Sequence, residues 1–225
     1  MKNLYLLLTI VFFAICQVNI NGQDKVPVQI DQSTLILMDE INALFYQSSV
    51  LFINFKDVDA SVELKKASDL ILKISKKLPE HLQAEVTSSA NEVKKLMMDV
   101  SDLKVDNIQR LKRTYARTFY TLARCYFDIT NENLDKNDYL NSVIALETSS
   151  NYLANGILWI GYVPGKQTRA IRKSIHNINI AVTSRNEIDK EELDKVKKYI
   201  HQELMKLGNK INEVKKEYDT YEIKI

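Results

Sequence analysis

Apolar side chains recur every three or four residues along most of this chain, which is the spacing of one face of an α-helix. The longest such stretch runs from Asp106 to Tyr162 and predicts two helices joined by the polar turn Asn131–Asn137. The apolar face of its first helix consists of Ile108, Leu111, Tyr115, Phe119, Leu122, Tyr126 and Ile129. We expect this hairpin to be the centre around which the other helices pack.

The same spacing predicts further helices on both sides of the hairpin. Those before it are Asp31–Lys56, a helix from Asp57 or Asp59 to Leu78, and a helix from Pro79 to Val100, followed by the break Ser101–Val105. Those after it are a helix through Thr168–Val182 and, beyond the turn Arg185–Ile188, a last helix of about thirty residues capped by Asp189. In the predicted helix Asp31–Lys56, the apolar positions continue as far as Phe55.

Capping residues set the predicted ends of the hairpin helices. Asp106 is the candidate N-cap of the first helix, and Asn137 or Asp138 that of the second, because their side chains can accept hydrogen bonds from free backbone amides. Pro164 should end the second helix, since proline cannot continue the backbone hydrogen-bond pattern. Gly156 either marks close packing against a neighbour or is tolerated at a cost of about 1 kcal/mol.

Composition supports an all-α fold, a bundle of six or seven antiparallel helices. The chain has only 3 prolines and 5 glycines, with 45% hydrophobic and 27% charged residues. This balance is typical of a folded helical protein and differs from that of a disordered chain. We expect a flexible lead-in at residues 23–30 and a single helical domain at residues 31–225.

The first 22 residues have the pattern of a secretory signal peptide. Lys2 supplies the positive charge, and residues 4–15 form an apolar core that is too short to span a membrane. No later stretch approaches the roughly 20 apolar residues of a transmembrane helix. Lipid attachment at Cys16 is an alternative, although the bulky Ile15 argues against it because lipoprotein signals prefer a small residue there.

The remaining sequence indicates a bacterial envelope protein without a disulfide. Cleavage after Gly22 leaves Cys125 as the single cysteine, and its place beside an apolar stripe favours a buried hydrophobe over a reactive thiol. No Asn-x-Ser/Thr acceptor site for glycosylation occurs. We therefore expect a protein of the bacterial periplasm or outer surface.

Three short segments of the hairpin carry a resemblance to known helical proteins: Leu122-Ala123-x-x-Tyr126, Leu134–Tyr139 and Ala145-Leu146. With them, residues 115–155 resemble a tetratricopeptide-type helical hairpin and the hairpins of the YfdX family of exported bacterial helical proteins. The resemblance implies a non-catalytic binding role or a chaperone-like role.

Motifs for metal binding and catalysis are missing from the sequence. His81, His176 and His201 are far apart, and none belongs to a zinc or di-iron pattern. The chain has neither a nucleophile elbow nor a glycine-rich phosphate loop. We therefore expect no cofactor, no bound metal and no enzymatic activity.

Charge distribution suggests one candidate binding surface. The formal net charge is only +2, which argues against nucleic acid as a partner. Basic residues are nevertheless concentrated on two predicted helices, and the candidate residues for an anionic ligand or an acidic partner are Arg113, Arg117, Arg124, Lys166, Arg169, Arg172 and Lys173. Alternatively these rows are solvated faces, neutralised by Glu147, by Asp138 or by the acidic third and seventh helices.

These observations predict an exported, non-enzymatic helical binding protein of the bacterial envelope that holds an anionic ligand or acidic partner on its basic face. An alternative is a scaffold or chaperone-like protein with an apolar groove, which a large exposed apolar patch would favour. An enzyme would need polar residues converging in a pocket, for example Asp39 or Glu40 facing His176 or Tyr120.

Overall fold

The computed structural model describes residues 32–161, 166–184 and 189–222, with side chains at 36–161, 171, 173–181, 184 and 189–213. Within these ranges the backbone forms seven α-helices and no strand, which confirms the predicted all-α bundle. The helices are α1 (Gln32–Ile53), α2 (Asp57–Ser75), α3 (Glu80–Ser101), α4 (Ile108–Asp135), α5 (Tyr139–Trp159), α6 (Lys166–Thr183) and α7 (Lys190–Glu222). The predicted signal peptide, the lead-in at 23–30, Pro164 and the turn at 185–188 lie outside the described residues.

Helix α4 is the element that the two halves of the bundle share. Each helix packs against the next one along the chain, and both α1 and α7 also pack against α4 and α5. Helices α1 to α4 therefore close into one four-helix bundle, and α4 to α7 close into a second. The hairpin α4–α5 is thus at the centre of the fold, as the hydrophobic pattern predicts.

Aromatic side chains from α1, α4 and α5 fill the region where these helices meet. Phe45 stacks on Tyr115 with ring centroids 4.0 Å apart, and Trp159 contacts Tyr115 edge-on with centroids 5.0 Å apart. Ser48 donates to the carbonyl of Phe45, and its Oγ lies 2.7 Å from the Tyr115 hydroxyl. The buried hydroxyl of Tyr115 thus has a hydrogen-bond partner, which burial of a polar group requires.

Gly156 marks a place where three helices approach closely. A Cβ at this position would lie 2.9 Å from Leu207 Cδ2, 3.3 Å from the carbonyl oxygen of Ala116 and 3.4 Å from Phe119 Cβ. These distances are shorter than ordinary van der Waals contacts. Of the two alternatives for this glycine, the structure therefore supports close packing of α5 against α4 and α7.

Two predicted boundaries of the hairpin are wrong by a few residues. The N-cap of α4 is Asn107 rather than Asp106, because the Asn107 side chain accepts from the Gln109 amide at 2.8 Å. Helix α4 also continues through most of the predicted turn to Asp135, and this extension buries Asn133. Asp138 caps α5, as one of the two predicted alternatives.

Candidate functional site

Three arginines of α4, among them the candidate residues Arg117 and Arg124, are paired with acids of α3. The arginines recur every seven residues along α4, and the acids recur every seven residues along the antiparallel α3. The ion pairs are Arg110–Asp99, Arg117–Glu92 and Arg124–Glu85. In the middle pair, Arg117 Nη1 donates to both carboxylate oxygens of Glu92 at 3.2 and 3.1 Å. We call this set the charge ladder.

The second basic row belongs to α6, which does not pack against α4 in the described part of the chain. Helices α4 and α6 each pack against α5 instead. Lys173 is exposed and Arg113 is partly buried, whereas the side chains of Lys166, Arg169 and Arg172 lie outside the described ones. The anion-binding surface stays a prediction, and two of its arginines on α4 already have acidic partners.

Helix α1 ends in a Schellman motif with Phe55 at the position that glycine usually occupies. The Phe55 amide donates to the carbonyl of Phe52 at 3.0 Å, and the Lys56 amide donates to that of Leu51 at 3.0 Å. Phe55 has φ of 59°, in the left-handed region, where its Cβ makes the backbone conformation unfavourable. The prediction that Phe55 continues the apolar face of the first helix is wrong, because the residue lies beyond the helix end.

Helix α3 ends in the same way with Leu103. Its amide donates to the carbonyl of Val100 at 3.1 Å, and the Lys104 amide donates to that of Asp99 at 2.8 Å. Leu103 has φ of 56°. A third such end closes α4 with Asn137, a residue type that tolerates this conformation far better than phenylalanine or leucine.

The packing of α2 on α3 brings Phe55 and Leu103 to the same end of the bundle. Ser68 Oγ donates to the Ala90 carbonyl at 2.9 Å, and this hydrogen bond fixes the antiparallel register of the two helices. Phe55 lies thirteen residues before Ser68, and Leu103 lies thirteen residues after Ala90. The two residues therefore lie at the same end of the antiparallel pair α2–α3.

Both side chains project into solvent. Phe55 is 91% exposed and Leu103 is 74% exposed, higher values than for any other large apolar residue among the described side chains. Val58 and Val62 on α2 and Met98 on α3 are also exposed, at positions close to these tips along the chain. We call Phe55, Val58, Val62, Met98 and Leu103 the apolar tip surface.

Cations accompany the apolar tip surface. Lys56 follows Phe55 directly, and Lys94 and Lys95 lie one turn before Met98. Among the described residues, none of these lysines has an acidic partner within ion-pair distance. The acids Asp57 and Asp59 lie in the first turn of α2, where the helix dipole stabilises negative charge.

The described residues also line clefts elsewhere on the surface. A cleft of about 270 Å³ separates α5 from α7, with Ile157, Ile160 and Leu207 in its apolar wall. Its charged residues are paired with each other, since Lys206 Nζ lies 2.6 Å from the buried Glu203 and Lys210 Nζ lies 3.2 Å from Glu213. A more open groove of about 470 Å³ is lined by Ile36, Leu37, Lys73, Lys76 and Lys77.

The residues considered for catalysis are not brought together. Asp39 and Glu40 are exposed on α1, His176 is exposed on α6, and α1 does not pack against α6 in the described part of the chain. Tyr120 lies against Gly208 of α7. Within the described ranges, no group of three or more His, Cys, Asp or Glu residues is placed to hold a metal ion.

Cys125 is a buried free thiol, as its position beside the apolar stripe predicts. Burial, and to a smaller extent the nearby carboxylate of Glu85, raise the pKa of its thiol to about 12. A thiol with so high a pKa is almost wholly protonated at neutral pH and is a poor nucleophile. Cys125 therefore contributes packing rather than reactivity.

No protein-family model matches the chain, and comparison with curated proteins and with solved structures gives no match. The resemblance of residues 115–155 to tetratricopeptide-type and YfdX hairpins thus stays a prediction.

Proposed function

We propose that the protein is an exported, non-enzymatic helical binding protein that attaches to its target through the apolar tip surface. The observation that carries this proposal is the pair Phe55 and Leu103, which are both exposed and both in left-handed backbone, at the same end of the bundle. A left-handed conformation costs a residue other than glycine about 1–2 kcal/mol. Because both side chains are exposed, burial within the chain offsets little of this cost. A contact with a binding partner is the physical reason for large apolar residues at these two positions.

The exposed apolar tips favour a scaffold or chaperone-like protein over an anion-binding one. The charge ladder gives Arg117 and Arg124 acidic partners within the bundle, which reduces their availability to an anionic ligand. The apolar tip surface has no such partner among the described residues. The proposed export rests on the signal-like pattern of residues 1–22.

Binding of the mature chain, residues 23–225, to an envelope fraction of the source cells tests this function. The fraction is washed at about 0.1 M and at about 1 M salt, because salt screens exposed charges but does not weaken apolar contacts. We expect capture to survive both washes and to be lost in the double variant Phe55→Gly, Leu103→Gly. Glycine fits the backbone at both positions, so this variant should fold.

A matched control replaces exposed apolar residues at the opposite end of the bundle. Ile36 and Leu140 are 64% and 44% exposed, so Ile36→Ser with Leu140→Ser removes similar side chains and should leave capture unchanged. A second variant, Arg169→Glu with Lys173→Glu, tests the basic row of α6 without disturbing the charge ladder. The proposal would be refuted if the tip variant still bound the target while the charge reversal or high salt abolished binding. That result would favour the basic face instead.

A further inference from the structure

We infer that the exposed face of α1 is a dimer interface, against which the α1 helix of a second copy packs in antiparallel orientation. This face consists of Ala43, Tyr46, Val50 and Ile53, and we call it the α1 seam. It shares no residue with the apolar tip surface, so the dimer does not depend on the proposed function. Three observations support it: the uncharged composition of α1, the spacing of the seam residues and their exposed area.

Helix α1 is apolar on more than the side that faces the core. No charged residue occurs between Ile41 and Phe55. Ile41 and Phe45 are fully buried, yet Tyr46 and Ile53 on the other side of the helix are 66% and 59% exposed. A helix that is apolar all round normally has all of its sides covered.

Helix α5 has a similar composition and is covered on nearly every side. Its only charged residue is Glu147, and within Tyr139–Trp159 only Leu140 and Leu158, near the two ends, are exposed. In the described part of the chain, α1 packs against α2, α4 and α5, and these helices leave the α1 seam exposed. The contrast with α5 points to another chain as the cover of the seam.

The spacing of the α1 seam matches an antiparallel pairing with a second copy. Its residues follow one another at steps of three, four and three, which is heptad spacing and places them on one side of the helix. These steps read the same in both directions. A two-fold axis level with Ser48 therefore sets Ala43 against Ile53 of the second copy, and Tyr46 against its Val50. Each contact joins a smaller side chain to a larger one, as close helix packing requires.

The charged residues near the α1 seam fix the register of this pairing. Asp39 lies on the same side of α1 one turn before the seam, and both Asp39 and Glu40 are exposed. The two-fold pairing leaves these acids beyond the last contact, near Lys56 and Asp57 of the second copy. Charges that are largely exposed in this way are screened and weaken the pairing only slightly. A register shifted by seven residues would instead bury Asp39 in the seam without a partner, at a far higher cost.

The area of the α1 seam predicts a weak and reversible dimer. Tyr46, Val50 and Ile53 are 66%, 40% and 59% exposed, and Ala43 and Gln47 beside them are also exposed. At roughly 200 Å² for a large side chain, these residues offer about 400 Å² per copy, or about 800 Å² in total. Stable specific interfaces bury about 1,200–2,000 Å². Self-association should therefore require micromolar protein concentrations.

Sedimentation equilibrium of the mature chain at about 10–500 µM tests this inference. Tyr46→Glu and Val50→Lys should each weaken self-association at least about tenfold, because each places an unpaired charge in the seam. Circular dichroism should show both variants folded, since neither side chain is buried in the monomer. Leu158→Lys, at a residue that is 64% exposed on α5, is the matched control and should leave self-association unchanged.

Mixing the two seam variants tests the orientation of the helices. In the antiparallel pairing, the new carboxylate at position 46 of one chain faces the new ammonium at position 50 of the other, and the second contact keeps Tyr46 against Val50. We expect the mixture to associate at least about tenfold more tightly than either variant alone. A parallel pairing would bring each new charge against an unchanged residue, so a mixture that stays monomeric would overturn the antiparallel register.

Three results would overturn the inference as a whole. The first is a mature chain that stays monomeric at the highest concentration. The second is a dimer that Tyr46→Glu and Val50→Lys both retain. A dimer that Phe55→Gly with Leu103→Gly abolishes while the seam variants retain it would move the interface to the apolar tip surface. The third is a dimer that is lost at about 1 M salt, because salt does not weaken apolar contacts.

Discussion

Replacing Phe55 by alanine and by glycine separates its backbone conformation from its side-chain contacts. Both substitutions remove the aromatic ring, but only glycine relieves the strain of a φ of 59°. In an ordinary helix alanine is more stable than glycine by about 1 kcal/mol. At position 55 we expect the opposite order.

The magnitude follows from the exposure and the conformation of Phe55. At 91% exposure, about a tenth of a surface of roughly 200 Å² is removed from water, which is worth about 0.5 kcal/mol at 25 cal/mol per Å². Phe55→Ala should lose about that amount. Phe55→Gly loses the same contact but recovers about 1–2 kcal/mol of left-handed strain, less the greater entropy of glycine in the unfolded chain. Glycine should therefore be more stable than alanine by about 1 kcal/mol.

Urea unfolding of the mature chain, followed by circular dichroism, measures this difference. Met98 supplies the control, because it is 47% exposed inside α3, where Met98→Gly should be less stable than Met98→Ala by about 1 kcal/mol. In thermal unfolding, 1 kcal/mol corresponds to about 2–4 °C for a chain of this length. If Phe55→Gly were less stable than Phe55→Ala, the left-handed conformation assigned to Phe55 would be wrong. The stability argument for a binding surface would then fail as well.

Two further predictions concern the interior. Tyr115→Phe removes a hydroxyl that is hydrogen-bonded to Ser48 and should lower the free energy of unfolding by about 1 kcal/mol, whereas Tyr152→Phe removes a buried hydroxyl without a partner among the described residues and should change it by less than about 0.5 kcal/mol. Equal losses in urea unfolding of the two variants would contradict this hydrogen-bond assignment. Cys125, with a pKa raised by burial to about 12, should resist a thiol reagent such as dithionitrobenzoate at about pH 8 in the native chain and react on addition of urea. Rapid reaction without denaturant would show that the thiol is accessible.

The hydrophobic pattern predicts the centre of the fold because burial and helical spacing act together there. Leu111, Tyr115, Phe119 and Leu122 follow one face of α4, and all are buried. The pattern fails at Phe55 because spacing reports which way a side chain would point if the helix continued. The spacing of apolar residues contains no information on where the helix ends or on the sign of φ. A phenylalanine followed directly by Lys56 and Asp57 is the local signal that could have suggested an exposed helix end.

Whether the basic residues of α4 form ion pairs depends on how the helices pack, which local composition does not specify. The sequence predicts Arg113, Arg117 and Arg124 of the first hairpin helix as candidate anion-binding residues, and only the antiparallel packing of α3 reveals the acidic partners of Arg117 and Arg124. The matching intervals of seven residues are visible in the sequence once the two helices are compared. That Phe55 and Leu103 lie at the same end of the bundle likewise depends on the antiparallel packing of α2 on α3, which the hydrogen bond from Ser68 to the Ala90 carbonyl joins.

The charge ladder has a consequence for how the chain selects its native pairing of α3 and α4. Partly exposed ion pairs of this kind contribute little to stability, about 0–1 kcal/mol each. A slip of α3 along α4 by one helical turn, however, would leave all three arginines out of step with Asp99, Glu92 and Glu85 at the same time. The three ion pairs therefore form together only in the native alignment of α3 and α4. They distinguish it from alignments that are shifted by one helical turn. Because α4 belongs to both four-helix bundles, an alignment error there would spread from one half of the protein to the other.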